Sequence, residues 1–320
     1  MTTYAADLAT IRAAAARIGP HAHRTPVVTC ATLDGLAGRS LFFKCEQFQK
    51  VGAFKFRGAC NAVVRLTDEQ ARRGVVTHSS GNHAQALALA ARQRGIPAHI
   101  VMPNNATPAK RRAVEGYGAR VIPCEPTLEA RETTVAGVLA ETGATLIPPY
   151  NHPDVIAGQG TATLELYEQV PGLDAIVTPV GGGGLLSGTA LAARELKATL
   201  RVIAAEPQGA DDAARSKAAG QLIPQTAPKT IADGLLTSLG DLTWPVLRDC
   251  VERVVTVSEE EIEQAMRLLW ERAKLLVEPS AAVALAAVLS AEFKVLDGIQ
   301  RVGIILSGGN ANLDRLPWSL

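Results

Sequence analysis

Aromatic side chains are scarce in this chain: Phe, Tyr and Trp together make up 4% of its 320 residues, so its core must be built of Ala, Val, Leu and Ile. An aliphatic core of that kind suits buried parallel strands covered by helices. An excess of one charge sign is lacking too. A net charge of +1 gives no electrostatic reason to expect nucleic acid or an anionic membrane as partner, which leaves a small molecule. Paired cysteines are missing: Cys30, Cys45, Cys60, Cys124 and Cys250 are scattered singly, with no Cys-x-x-Cys. That argues against a disulfide framework or zinc site and for a reducing cytoplasm. No apolar run approaches a membrane span, and the N-terminus lacks the charged-then-apolar pattern of a secretory signal. Repeats and low-complexity tracts are absent, and too little chain follows the last predicted strand for an appended regulatory domain.

What is present is a regular alternation. Leu8, Ile11, Ala15 and Ile18 have helical spacing and predict an opening amphipathic helix. From Gly74 onward, short β-branched runs alternate with ten to fifteen residues of helical periodicity, beginning with Val75-Val76-Thr77-His78 and Ala98-His99-Ile100-Val101-Met102. Pro148-Pro149-Tyr150-Asn151-His152-Pro153 interrupts this series, and a second one runs from Ala175 to Leu306. The pattern predicts an α/β fold of two lobes, each an open, mostly parallel sheet flanked by helices. Residues 1–73 with 151–320 would form the large lobe, and 74–150 a small mobile one. Ala281 to Leu289 is apolar on nearly every side and predicts a buried helix.

Within this frame, Lys55 sits between Phe54 and Phe56 where a helix begins. Enclosure between apolar rings would lower its pKa and free the amine as a nucleophile for a carbonyl group. Read alone, it is better explained as a lysine whose stem lies on the rings and whose head stays wet. Three turns after predicted strands change that reading, because ligands of open α/β sheets bind at the carboxyl ends of strands. Ser79-Ser80-Gly81-Asn82-His83 offers helix-start amides to a carboxylate, or else an ordinary N-cap. Gly181-Gly182-Gly183-Gly184 is a loop of exposed amides suited to a phosphate, since four glycines cost backbone entropy with no packing return. Ser307-Gly308-Gly309-Asn310 closes the last strand. Glu206, at the end of another strand, would suit a ribose, which keeps a nicotinamide-dependent oxidoreductase as an alternative of a different class. A catalytically silent binding protein is a third.

Taken together, these segments and Val155-Ile156-Ala157-Gly158-Gln159-Gly160-Thr161 resemble the pyridoxal-phosphate enzymes of the tryptophan-synthase-β fold type. The nearest branch is that of serine racemases, serine/threonine dehydratases and hydroxyaspartate dehydratases. The resemblance implies a pyridoxal-phosphate lyase that converts serine, threonine or 3-hydroxyaspartate to a 2-oxo acid and ammonia, with serine racemisation as a second or even the primary activity. It makes Lys55 the Schiff-base lysine beside Phe54, Gly181, Gly182, Gly183, Gly184 and Leu185 the phosphate site, Asn82 the partner of the ring hydroxyl, and Ser307 that of the pyridine nitrogen. Ser79, Ser80, Gly81, Asn82 and His83 would meet the substrate, with Arg131 and Ser238 at its distal end. Ser80, where threonine dehydratases of this branch usually have alanine, would return a proton on the face opposite Lys55. Glu206, the Ala210 carbonyl and Asp212 would hold Mg²⁺, Ca²⁺ or Mn²⁺. Lys50 matches a lysine near the nucleotide site of animal racemases, whereas Tyr150 stands where those have asparagine. The resemblance favours a homodimer.

Overall fold

The computed structural model describes residues 4–319. Its strands are β1 (Val27–Val28), β2 (Ser40–Cys45), β3 (Val75–His78), β4 (Ala98–Pro103), β5 (Arg120–Cys124), β6 (Thr145–Leu146), β7 (Ala175–Pro179), β8 (Arg201–Pro207), β9 (Arg253–Val257) and β10 (Arg301–Leu306). They form two sheets, one in the order β1-β2-β10-β7-β8-β9 and the other β5-β4-β3-β6. Every pairing is parallel except β1 with β2.

Parallel strands buried on both faces need apolar residues at every position. β4 and β7 are buried throughout. The two-residue period of β7 sends Ala175 and Val177 to one face of the larger sheet and Ile176 to the other. The Pro279–Leu289 helix, buried from Ser280 to Val288, covers the first face. Helices Leu8–Ile18, Pro153–Gln169 and Gly184–Leu196 cover the second. In the first of these the buried stripe runs through Ala14, not Ala15.

The smaller sheet shares its core with the Lys55–Arg65 and Asn82–Arg94 helices, through Phe56, Ala59, Val63, Leu87, Ile100 and Met102. Three helices cross at main-chain contact. A Cβ on Gly158 would lie 2.6 Å from Gly58 Cα, and one on Gly160 would lie 2.9 Å from the Gly188 carbonyl oxygen. The Pro153–Gln169 helix is thereby pressed between the Lys55 and Gly184 helices, with the Gln159 amide filling the first crossing and accepting from Gly58 N at 3.1 Å.

Composition gave no warning of four charged groups sunk beneath this crossing. Arg57 Nε donates to Glu46 Oε2 at 2.7 Å and its NH1 to Glu165 Oε1 at 2.8 Å. Lys44 Nζ donates to Glu165 Oε2 at 2.7 Å. Lys44, Glu46 and Arg57 are fully buried, and two cations against two carboxylates leave the cluster formally neutral, as burial of charge demands.

Candidate active site

Parallel pairing puts the carboxyl ends of β2, β10, β7 and β8 on one edge of the larger sheet, and each is followed by a segment singled out above. Lys55 comes after β2, Ser307 after β10, Gly181 after β7, and Glu206 ends β8.

The start of the Lys55 helix is laced to the end of β10. Phe54 N donates to the Ser307 carbonyl at 3.0 Å, Gly309 N donates to Gly52 O at 2.9 Å, and Ala53 and Gly308 form an isolated antiparallel bridge. Lys55 Nζ donates to Pro149 O at 2.7 Å and lies 5.0 Å from the Phe54 ring centroid. The lysine's stem is partly exposed, but its nitrogen is surrounded by protein. Desolvation pulls its pKa down to about 8, against the opposing pull of the Glu278 carboxylate. The lysine is not sandwiched between two rings. Phe56 turns into the core, where Lys50 Nζ sits 5.5 Å from its centroid, because successive helical residues point about 100° apart.

The four glycines link β7 to the Gly184–Leu196 helix, and all four are buried. Gly183 has φ +85°, which a side chain rarely adopts, and no side chain caps the helix. Space forbids side chains here too. Added Cβ atoms would strike Leu235 at Gly181, the Tyr150 ring at Gly182, Leu239 and Thr243 at Gly183, and Tyr150 again at Gly184. The free amides of this helix start make it a candidate anion cradle. Pro149 and Tyr150, adjacent in sequence, thus touch the Lys55 amine and the cradle in turn.

Ser79–His83 follows β3 of the smaller sheet. The helix starting at Asn82 has no side-chain cap, so its first amides are open to an anion and the N-cap reading of this turn is not realised. Ser79 Oγ instead accepts from Gly81 N at 3.3 Å. His83 Nε2 donates to Ile147 O at 2.8 Å. Burial, with the Lys55 charge adding to it, holds the His83 pKa down at about 3. The ring is therefore neutral, with Nδ1 a buried acceptor lacking a partner, so His83 can meet a carboxylate only through its main-chain N–H.

Asn82 Nδ2 donates to Glu278 Oε1 at 2.9 Å, and Asn82 Oδ1 accepts from Asn310 Nδ2 at 2.8 Å. Glu278 Oε2 accepts from Asn310 N at 3.1 Å. These bonds fix the amide and leave one Asn82 hydrogen free. Glu278 is 5% exposed, and desolvation, abetted by Asp233, raises its pKa to about 7. Sequence reasoning missed Glu278. The Pro279 that follows marked a helix start and so an acid at its N-terminus, but its partner is remote in sequence.

Glu206 is buried, and its two oxygens accept from Ala213 N and Ala214 N at 2.9 and 2.8 Å. Each oxygen accepts one main-chain N–H and keeps a second lone pair for a further ligand. Asp212 Oδ2 accepts from Leu239 N at 3.1 Å, while Oδ1 is buried without a partner. Burial raises these pKa values to about 8 and about 6. An orphaned carboxylate oxygen beside a second buried carboxylate fits a hard divalent cation. Among the described residues no group of three or more His, Cys, Asp or Glu stands ready for a metal, so an ion here would also need the Ala210 carbonyl or water.

Arg131 and Ser238 are not brought together by any hydrogen bond: the Ser238 hydroxyl accepts from Gln225 N at 2.8 Å, and Arg131 Nε is buried without a partner.

Comparisons with known proteins find a family and close relatives. The family model described as "Pyridoxal-phosphate dependent enzyme" matches residues 18–308. The chain is 57% identical to serine racemase of Arabidopsis thaliana, covering 98% of this chain and 96% of that one. It is 53% identical to beta-hydroxyaspartate dehydratase of Paracoccus denitrificans (strain Pd 1222), covering 96% and 97%. The solved structure of maize serine racemase superposes with a TM-score of 0.96 at 54% identity, covering 97% of this chain and 95% of that one.

Proposed function

The chain belongs to the pyridoxal-phosphate dependent enzyme family, and from that premise we propose that it eliminates water from small β-hydroxy amino acids, serine, threonine or 3-hydroxyaspartate, to give an enamine that a water molecule then hydrolyses to a 2-oxo acid and ammonia. Serine racemisation is its second activity, supported by Ser80 and by the likeness to serine racemases. The observation that carries this reading is the Lys55 amine, desolvated and bonded to Pro149 next to the residue that packs on the glycine cradle.

Bound pyridoxal phosphate supplies an aldehyde that joins to amines and a ring that accepts the electrons released when Cα loses its proton. The rest is done by the chain. Lys55 would carry the aldehyde until substrate displaces it, and its freed Nζ would take the Cα proton. The amides of Gly181 to Gly184 and Leu185 would hold the phosphate, Phe54 would flank the site, and Asn82 would give its free hydrogen to the ring oxygen. Ser307 would offer the pyridine nitrogen a hydrogen bond but no negative charge, which would favour early loss of the β-hydroxyl over prolonged storage of charge. Amides of the Ser79–His83 turn would hold the substrate carboxylate, and the Ser80 hydroxyl would deliver a proton to the other face of Cα. Arg131 and Ser238 would need to move together to hold a distal carboxylate.

Glu206, the Ala210 carbonyl and Asp212 would bind Mg²⁺ or a similar ion in a supporting role. Two lobes, 1–73 with 151–320 and 74–150, would close over substrate and exclude water, a motion that the two separate sheets support. The proposed active form is a homodimer in the cytoplasm, with the unpaired cysteines supporting the compartment.

The purified protein should be yellow, lose its visible band on borohydride reduction with a mass adduct on Lys55, and release ammonia from the three candidate substrates and D-serine from L-serine. A colourless protein that pyridoxal phosphate cannot activate would overturn the proposal.

A further inference from the structure

One strap of chain, residues 235–243, backs most of the anion cradle. A Cβ on Gly181 would lie 2.9 Å from Leu235 Cα, and one on Gly183 would lie 2.9 Å from Leu239 Cδ2 and 2.8 Å from Thr243 Cβ. Thr243 Oγ1 donates to the Gly182 carbonyl at 2.9 Å and accepts from Gly240 N at 2.8 Å. Because a trans peptide is planar, with C=O and N–H on opposite sides, holding the Gly182 oxygen toward Thr243 turns the Gly183 N–H to the other side of the loop. Thr243 thus sets the direction of one of the cradle's donors.

The same strap reaches the acidic pair. Leu239, whose side chain lies against Gly183, gives its main-chain N–H to Asp212 Oδ2 at 3.1 Å. Asp212 is 1% exposed, and its other oxygen is the buried acceptor without a partner. Two unlike sites therefore share one residue. A carboxylate that is anchored through Oδ1 holds Leu239 through Oδ2, and Leu239 with Thr243 holds the loop.

We infer that Asp212 is a positioning residue for the anion cradle, acting through Leu239 and Thr243, so that a divalent cation on the Glu206–Asp212 pair and a phosphate on the glycine loop strengthen each other's binding. This deepens the proposed function and rests on its assignment of the cofactor phosphate to Gly181–Gly184. Linkage makes the effect reciprocal: the cation tightens the phosphate by the factor that the phosphate tightens the cation. The cation then governs cofactor retention, not chemistry at Cα.

The test uses the full-length holoenzyme, dialysed to equilibrium against graded pyridoxal phosphate with saturating Mg²⁺ or with chelator, with occupancy read from the visible band. Mg²⁺ should tighten retention by about tenfold, within the usual range for coupled sites. Unphosphorylated pyridoxal should respond to Mg²⁺ by less than about twofold, because the coupling passes through the phosphate cradle. Thr243→Val should abolish the Mg²⁺ effect on retention while calorimetry still shows Mg²⁺ binding. Thr243→Ser, which keeps the hydroxyl, should restore the effect. Mg²⁺ that binds wild-type protein without altering pyridoxal phosphate affinity would overturn the inference and leave both sites standing. An equal Mg²⁺ effect on pyridoxal and its phosphate would overturn it too, by tracing the effect to general stability. A protein that fails to take up pyridoxal phosphate at all would sink the functional reading and this inference with it.

Discussion

Lys55 Nζ donates to the Pro149 carbonyl oxygen at 2.7 Å, a single bond to a neutral acceptor in a desolvated setting that holds the amine pKa near 8. Only the neutral amine attacks an aldehyde. Uptake of pyridoxal phosphate by cofactor-free protein should therefore speed up about tenfold per pH unit below 8 and level off above it, as the neutral fraction does for any amine near its pKa. Stopped-flow recovery of the visible band measures this, and a profile still climbing at pH 10 would refute it. The lysine's contribution to stability of the cofactor-free fold should be fully present above its ordinary 10.5 and lost as pH falls through 8.

Glu278 titrates in the opposite sense. Burial raises its carboxyl to about 7, so its contribution to stability is fully present below the ordinary 4.5 and lost as pH rises through 7. Glu206, raised to about 8, adds to the same slope. Urea unfolding of cofactor-free Glu278→Gln should show a flatter pH dependence between 4.5 and 7 than the parent. Glu278→Ala leaves Asn82 Nδ2 without its acceptor and should cost about 1–3 kcal/mol.

Ser80→Ala separates the two proposed activities. D-serine formation from L-serine should fall by about a hundredfold or more, a typical loss for a removed acid–base group, while ammonia release from L-substrates stays within about threefold. Parallel assays of D-serine and ammonia decide the matter, and equal loss of both would exclude a role confined to one face.

Arg57→Met removes the partner of a fully buried Glu46 and weakens the hold on Glu165. Breaking a buried pair in this way should destabilise the fold by about 3–5 kcal/mol, measured by denaturant unfolding. Arg57→Lys should recover little, because a lysine cannot reproduce the forked contacts to two carboxylates.

The strand order of the larger sheet could not be read from the sequence, yet the residues at its carboxyl edge could. β-branched runs ending in Gly181 or Ser307 announce themselves locally, since strand and turn are contiguous. The Lys55 helix was also legible, but the company it keeps was not: helical spacing turns Phe56 away from Lys55, yet only packing shows that the core it enters is the small sheet's. Glu278 and Thr243 escaped for the same reason. Each acquires meaning only from a tertiary partner, Asn82 in one case and Gly182 in the other. Lys44, Glu46 and Arg57 look like surface charges in a linear reading, and only the neutrality of the finished cluster explains how they are buried.

The meeting of Gly58 with Gly158 and of Gly160 with Gly188 fixes the span from the Lys55 helix to the four-glycine loop by close main-chain contact. Such a gauge has no adjustable shims, for any atom added at those crossings would wedge the helices apart. Diversification of substrate range on this frame is thereby channelled to the rim, where residues such as Ser80 can be exchanged without resetting the jaws.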